Sequence, residues 1–253
     1  MEALRQMWTT AEIAGHECEV FEPNLPNAHG YVAMYLHGVH LNRLSDKPVF
    51  TAELERLGLP AICPRTARSW WTDKICPEFD ARFSAERYLL EHVLPYLADR
   101  WQSQPPRIGL FGTSMGGQGA LRLGFRHPNK FPVVVGISPA IDYQQRLRHP
   151  EDEDEPLFEM YPDPEAARQD TATLHVHPLN WPRNIWFCCD PDDHRWHDSA
   201  DRLRMKLYSL GIPHTCDLQT SGGGHGFEYY NRMAGTALQF LYDGLERERL
   251  RIV

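Results

Sequence analysis

Between residues 109 and 123 the chain reads GLFGTSMGGQGALRL, an apolar run that passes into a cluster of glycines around Ser114. Two kinds of chemistry use such a strand-to-helix turn. Its backbone N–H groups can cradle a phosphate, or the turn can hold a serine out as a nucleophile. A Walker-type loop needs a lysine followed by Ser or Thr, but Gly117 is followed by Gln118 and Gly119. A dinucleotide-binding turn needs glycine where Ser114 stands, and it normally lies in the first strand–turn–helix unit. The spacing Gly112-x-Ser114-x-Gly116 fits the nucleophile instead, because glycines two residues either side remove Cβ atoms that would collide in so sharp a turn. A helix beginning at Met115 would also aim N–H groups at developing negative charge.

A serine hydroxyl at neutral pH needs a base, and the base needs an orienting acid. In strand–helix folds that use this turn, the order along the chain is Ser, then Asp or Glu, then His. Of thirteen histidines, His225 is the best placed: it lies in TSGGGHGFEYY, after the last predicted strand and among four glycines. His214, at the start of that strand, and His194 and His197, in the preceding loop, are poorer candidates. The acid should follow the strand before, where NIWFCCDPDDHRWHDS offers Asp190, Asp192, Asp193 and Asp198. Asp193 is favoured and Asp192 is the alternative. Asp198 fits better as the N-cap of a helix near Ala200, Asp190 as a turn-former with Pro191, and Asp142 is an outside alternative. An oxyanion hole takes one N–H from the residue after the nucleophile, Met115. The turn YLHGVH (35–40) can supply the second, from Val39, with His37 and His40 shaping that loop.

Several other classes recede. The pairs HVH (175–177) and HRWHD (194–198) lack a metalloenzyme pattern, so no metal is expected. A net charge of −8, from 26 basic and 34 acidic residues, disfavours nucleic acid or an anionic membrane as partner. No window reaches membrane-spanning length, and the N-terminus reads without a secretion signal. The six cysteines lack zinc-site spacing and read as reduced thiols of a cytoplasmic protein.

The elements that must position these residues alternate between strand and helix. Strands are predicted over 31–38, 107–112, 131–140, 184–189 and 214–220, with a short one at AIC (61–63). Helices are predicted over 48–60, 78–101 with Pro95 inside, 115 to about 128, from about 200 to 210, and from Phe227 onward. Residues 8–23 can add an antiparallel hairpin at one edge. This rhythm implies an α/β fold: a mostly parallel sheet with helices on both faces. With 42% hydrophobic residues, 1–253 read as one domain. Residues 143–183, rich in charge and proline, form an irregular, cap-like excursion near the sheet's C-terminal edge. Its acidic run Glu151–Glu155 reads as a solvated loop. Cys188 and Cys189 should face opposite sides of their strand. Trp70, Trp71, Trp181 and Trp196 fall in predicted loops, where they can line a pocket or pack in the core.

Together the motifs YLHG (35–38), GTSMGGQGALRL (112–123), HP with Phe131, SPAID (138–142) and GGHGF (223–227) resemble a known family. It is the esterase D / S-formylglutathione hydrolase-like branch of the α/β-hydrolases, which is related to the antigen-85-type acyltransferases. The similarity spans nearly the whole chain. It implies an α/β-hydrolase fold as a three-layer αβα sandwich, no cofactor, and serine-dependent acyl hydrolysis with Ser114 as nucleophile and His225 as base. The family usually has a glycine soon after the acid's strand and the acid three residues later. Asp190 stands in the glycine's place, which points to Asp193 and leaves Asp192 open. The expectation is a serine hydrolase of small-molecule carboxylic esters or thioesters. An acyltransferase with the same triad and a non-catalytic binding protein on the same fold are the alternatives.

Overall fold

A computed structural model describes residues 7–148 and 155–251. Its centre is an eight-stranded sheet in the order β1-β2-β4-β3-β5-β6-β7-β8. The strands are β1 (Trp8–Ile13), β2 (His16–Phe21), β3 (Val32–Leu36), β4 (Ala61–Pro64), β5 (Ile108–Thr113), β6 (Val133–Ile137), β7 (Asn184–Cys188) and β8 (Thr215–Asp217). From β4 to β8 every pairing is parallel, and β1 and β2 form the expected antiparallel hairpin at one edge. The central strands β3, β5, β6 and β7 are buried along their whole length, as apolar runs in a parallel sheet covered on both faces must be. This is the α/β-hydrolase fold.

Two cores follow from that double coverage. On one face, Phe111, Val133 and Val135 pack with Phe50 and Leu54 of α1 (Pro48–Arg56) and with the helix Phe227–Arg249. On the other, Leu110 and Val134 pack with Leu121 and Leu123 of the helix Met115–Arg126 and with residues of 85–101. Cys188 belongs to the first core and Cys189 to the second, so the neighbouring thiols do face opposite ways.

Two expectations need correction, and the break expected at Pro95 is present. The helix predicted over 78–101 begins only at Ala85, where Ser84 caps it by accepting the Arg87 N–H. Phe79 and Phe83 have helical spacing, but they cluster with His16 and Tyr88 instead. Just before Pro95 the helix opens into a π turn, Leu89–Val93; proline offers no N–H and crowds the preceding turn, so the helix is remodelled there. Asp198 is no N-cap: the helix begins at His197 and Asp198 lies in its first turn.

The excursion carries short helical pieces, Tyr143–Arg148, Glu155–Met160, Pro164–Gln169 and Ala172–His175. Residues 151–154 of the acidic run lie outside the described residues. The excursion is tied to the helix Met115–Arg126: buried Arg122 pairs with Asp170, and Gln118 Oε1 accepts the Ala172 N–H at 2.9 Å. Tyr143 packs against Trp70, 4.8 Å between rings. Trp70, Trp71 and Trp196 are wholly buried and Trp181 is half-buried. Among the described residues, no helix is long and apolar enough to cross a membrane.

Candidate active site

Ser114, Gly38, Asp193 and His225 follow β5, β3, β7 and β8 respectively, so one edge of the sheet gathers residues that lie far apart in sequence. That carboxyl edge is where open α/β sheets bind ligands. Ser114 sits between β5 and the helix Met115–Arg126 with φ 56° and ψ −119°, a conformation that costs a non-glycine residue about 1–3 kcal/mol. Surrounding hydrogen bonds hold it there. Its N–H donates to Ile137 O at 3.0 Å, and its carbonyl accepts the N–H groups of Gln118 and Ala140, each at 3.0 Å.

The flanking glycines are required by contact. A Cβ on Gly116 would lie 1.8 Å from Leu36 O, and one on Gly112 would lie 2.2 Å from Gly116 O. The turn after β3 comes equally close: a Cβ on Gly38 would stand 3.3 Å from Ser114 Cβ and 3.9 Å from its Oγ. As the first helical residue, Met115 has an N–H with no intrahelical carbonyl four residues back. Val39 is half-buried in the turn beside Ser114.

His225 stands between Ser114 and Asp193. Its Nδ1 lies 2.6 Å from Asp193 Oδ2 and its Nε2 2.8 Å from Ser114 Oγ. A carboxylate only accepts, so Nδ1–H donates to Asp193 and the Nε2 lone pair accepts the serine O–H. Asp193 is almost wholly buried; its Oδ1 accepts the Trp196 N–H at 3.2 Å, and its Oδ2 accepts the Cys189 thiol at 3.5 Å. Asp192 is exposed and binds the Ser221 hydroxyl at 2.7 Å, away from His225. Asp142 pairs with Arg202.

Asp190 does more than end a strand. Fully buried, it accepts the N–H groups of Asp192 at 2.8 Å, Gly222 at 2.7 Å and Gly224 at 2.8 Å, and so ties the loop carrying His225 to the loop carrying Asp193. Burial opposes its ionisation, but those three N–H groups outweigh burial and hold its pKa below the usual range. A strand-terminal acid before Pro191 was a visible signal for a turn, though not for this link across 32 residues.

His37 and Trp71 brace the other side. Thr66 N–H donates to His37 Nε2 at 3.2 Å, so the Nδ1–H of the neutral ring donates to Gly38 O at 3.0 Å. Burial, aided by the Arg65 charge and opposed by the Gly38 carbonyl, lowers the His37 pKa to about 4. Trp71 Nε1 donates to His37 O at 3.1 Å. His40 is exposed. His194 is exposed too, His197 Nε2 meets Leu218 O at 3.2 Å, and His214 Nδ1 meets Ile212 O at 2.9 Å. The histidines of HVH are engaged separately, His175 with Asp170 at 2.9 Å and His177 with the Leu179 N–H at 3.1 Å. Among the described residues, no three His, Cys, Asp or Glu side chains group as a metal site.

A family model described as "Putative esterase" matches residues 58–230, well over half the chain and including the serine turn, Asp193 and His225. The chain belongs to this esterase family. The esterase is therefore a hydrolase of carboxylic esters. A search of curated protein sequences returned no match.

Solved structures agree on the fold. An S-formylglutathione hydrolase from Agrobacterium tumefaciens superposes with a TM-score of 0.68 at 19% identity, over 94% of each chain. MPT51 of Mycobacterium tuberculosis gives 0.68 at 17% identity, over 92% of the esterase and 98% of its own chain. FphF, a fluorophosphonate-binding serine hydrolase of Staphylococcus aureus, gives 0.69 at 16% identity, over 93% of the esterase and 97% of its own chain.

Proposed function

We propose that this esterase cleaves small-molecule carboxylic esters, thioesters included, through an acyl-enzyme on Ser114. The reading rests on one observation: His225 bridges Ser114 and buried Asp193 in the order and tautomer that base catalysis requires. In acylation the Ser114 proton moves to His225 Nε2 as Oγ attacks the ester carbonyl. The N–H groups of Met115 and Val39 receive the oxyanion. The tetrahedral species then collapses: the bond to the alcohol breaks, and His225 returns the proton to the departing oxygen. Water next attacks the acyl-enzyme, giving its proton to His225. The bond to Oγ breaks, Oγ is reprotonated, and the free acid leaves. Asp193 orients the imidazole and stabilises its charged form during both transfers.

A panel of aryl esters and thioesters of increasing acyl length, assayed with wild type and Ser114→Ala, tests this. The expected result is a loss on the order of 10⁶-fold in kcat in the variant, together with an acyl adduct on the Ser114 peptide of the wild type. Equal activity in both proteins would overturn the assignment.

A further inference from the structure

Asp190 lies just after β7, where the loops carrying Asp193 and His225 meet. It is fully buried, and its two carboxylate oxygens divide their partners between those loops. Oδ1 accepts the Asp192 N–H at 2.8 Å, on the acid's side. Oδ2 accepts the N–H groups of Gly222 at 2.7 Å and Gly224 at 2.8 Å, on the base's side. The Asp190 backbone adds a further hold, its carbonyl taking the Asp193 N–H at 2.9 Å. On the roles proposed above for Ser114, Asp193 and His225, we infer that Asp190 is a positioning residue for ester cleavage. It sets the place of the imidazole between acid and serine.

The glycine loop needs such a hold. Gly223 and Gly224 have φ of 98° and 75°, a left-handed backbone that lets the N–H groups on either side of Gly223 converge on one oxygen. A carboxylate is planar and rigid, so the spacing of its oxygens fixes one loop against the other. Gly224 immediately precedes His225, so little freedom separates the held N–H from the imidazole. The imidazole in turn meets Asp193 Oδ2 at 2.6 Å and Ser114 Oγ at 2.8 Å. A shift of about 1 Å would carry either contact past hydrogen-bonding distance.

The kinetic signature follows from the work of the base. The same imidazole takes a proton as each nucleophile attacks and returns one as each tetrahedral species collapses, so its place counts in acylation and deacylation alike. Loosening it should slow both steps, with kcat and kcat/KM falling together.

Asp190→Asn keeps the shape of the side chain and removes one acceptor. An amide has a single acceptor oxygen and an NH₂ that only donates. Whichever way it turns, the NH₂ faces either the Asp192 N–H or the pair from Gly222 and Gly224, so one loop loses its hold. Asp217 supplies the control. Its carboxylate collects the N–H groups of Gln219 and Thr220 and the Thr220 hydroxyl, all within its own turn at the end of β8. Asp217→Asn therefore loosens one turn without parting acid from base.

Rates on p-nitrophenyl acetate are divided by the number of serines that a fluorophosphonate labels at completion, so unfolded protein does not count. Asp190→Asn should lose about 10- to 100-fold in both kcat and kcat/KM, with KM within about threefold of wild type. Asp190→Ala, which removes both oxygens, should lose at least as much, and Asp217→Asn should stay within about threefold of wild type. Proton NMR reads the alignment apart from turnover. The Nδ1–H held between His225 and Asp193 should resonate far downfield in wild type and vanish in Asp193→Ala. That resonance should weaken or move upfield in Asp190→Asn and persist in Asp217→Asn. Wild-type rates with an unmoved resonance in Asp190→Asn, or an equal loss of rate in Asp217→Asn, would overturn the inference. With Ser114→Ala inert, such a result removes Asp190 alone. Wild-type turnover in Ser114→Ala removes the underlying mechanism as well.

Discussion

Gly116→Ala tests the close packing that presents Ser114. The new Cβ would stand 1.8 Å from Leu36 O, 2.3 Å from Leu36 C and 2.8 Å from His37 O, whereas ordinary contact begins near 3.4 Å. The groups must therefore part by 3.4 − 1.8 = 1.6 Å. All three obstructing atoms are backbone, so no rotamer change relieves the collision. Relief comes only by moving the start of the helix Met115–Arg126 or the end of β3. Those segments carry Ser114 and Gly38, and a misplacement of about 1 Å in a reacting geometry costs about 100-fold in rate. Overpacking adds about 1–3 kcal/mol of destabilisation. The variant should therefore lose at least about 100-fold in kcat on an aryl ester while remaining folded by circular dichroism, with a lowered Tm. Gly235→Ala on the helix Phe227–Arg249 is the control, because its Cβ would meet nothing closer than 3.6 Å. Wild-type kcat and Tm in Gly116→Ala would refute the view that backbone contact between helix and strand sets the position of the serine.

Two further perturbations probe what supports the site. Arg122→Met strips the guanidinium from buried Glu86 and Asp170; burial alone would raise Glu86, yet His127 and Arg122 hold it down at about 2. Leaving those carboxylates without Arg122 should cost about 3–5 kcal/mol, read as a fall of about 10 °C in Tm, and a Tm within a degree or two of wild type would contradict it. His37 should make the fold acid-sensitive. Unfolded chains take up its proton near pH 6.5, whereas the folded protein resists until about 4, so its stabilising contribution is complete above pH 6.5 and is lost as pH falls toward 4. The difference amounts to about 3 kcal/mol, and urea titrations at pH 7 and pH 4.5 should show a smaller loss in His37→Gln than in wild type. Equal losses in both would contradict it.

What could be read in the sequence divides by the range of the interaction behind it. Ser114 was legible because its turn makes local demands: an apolar strand, glycines at fixed offsets, and a helix immediately after. His225 was legible from its place after the last strand and its glycine neighbours. The choice between Asp192 and Asp193 was not, because it depends on how one turn is rotated. Asp190 settles that rotation. Its backbone O takes the Asp193 N–H at 2.9 Å, and its carboxylate takes the Asp192 N–H and two loop N–H groups from 222 and 224. Held so, Asp193 turns inward to His225 and Asp192 outward to Ser221.

The place of Tyr230 beside His225 was hidden for a related reason. Near a candidate base a tyrosine in a helical pattern reads as core, and its ring is indeed buried. Its ring stands edge-on to the His225 imidazole, 5.7 Å between centroids, in the first turn of the helix Phe227–Arg249 that follows the glycine loop Asp190 anchors. One buried carboxylate thus governs the group that reaches the serine, the imidazole, through the loop carrying it. An Asp190→Asn substitution keeps an acceptor but loses the charge that binds three N–H groups, so the alignment of His225 with Ser114 and Asp193 should loosen. This coupling joins residues more than a hundred positions from Ser114 to its chemistry, and no local pattern in the sequence records it.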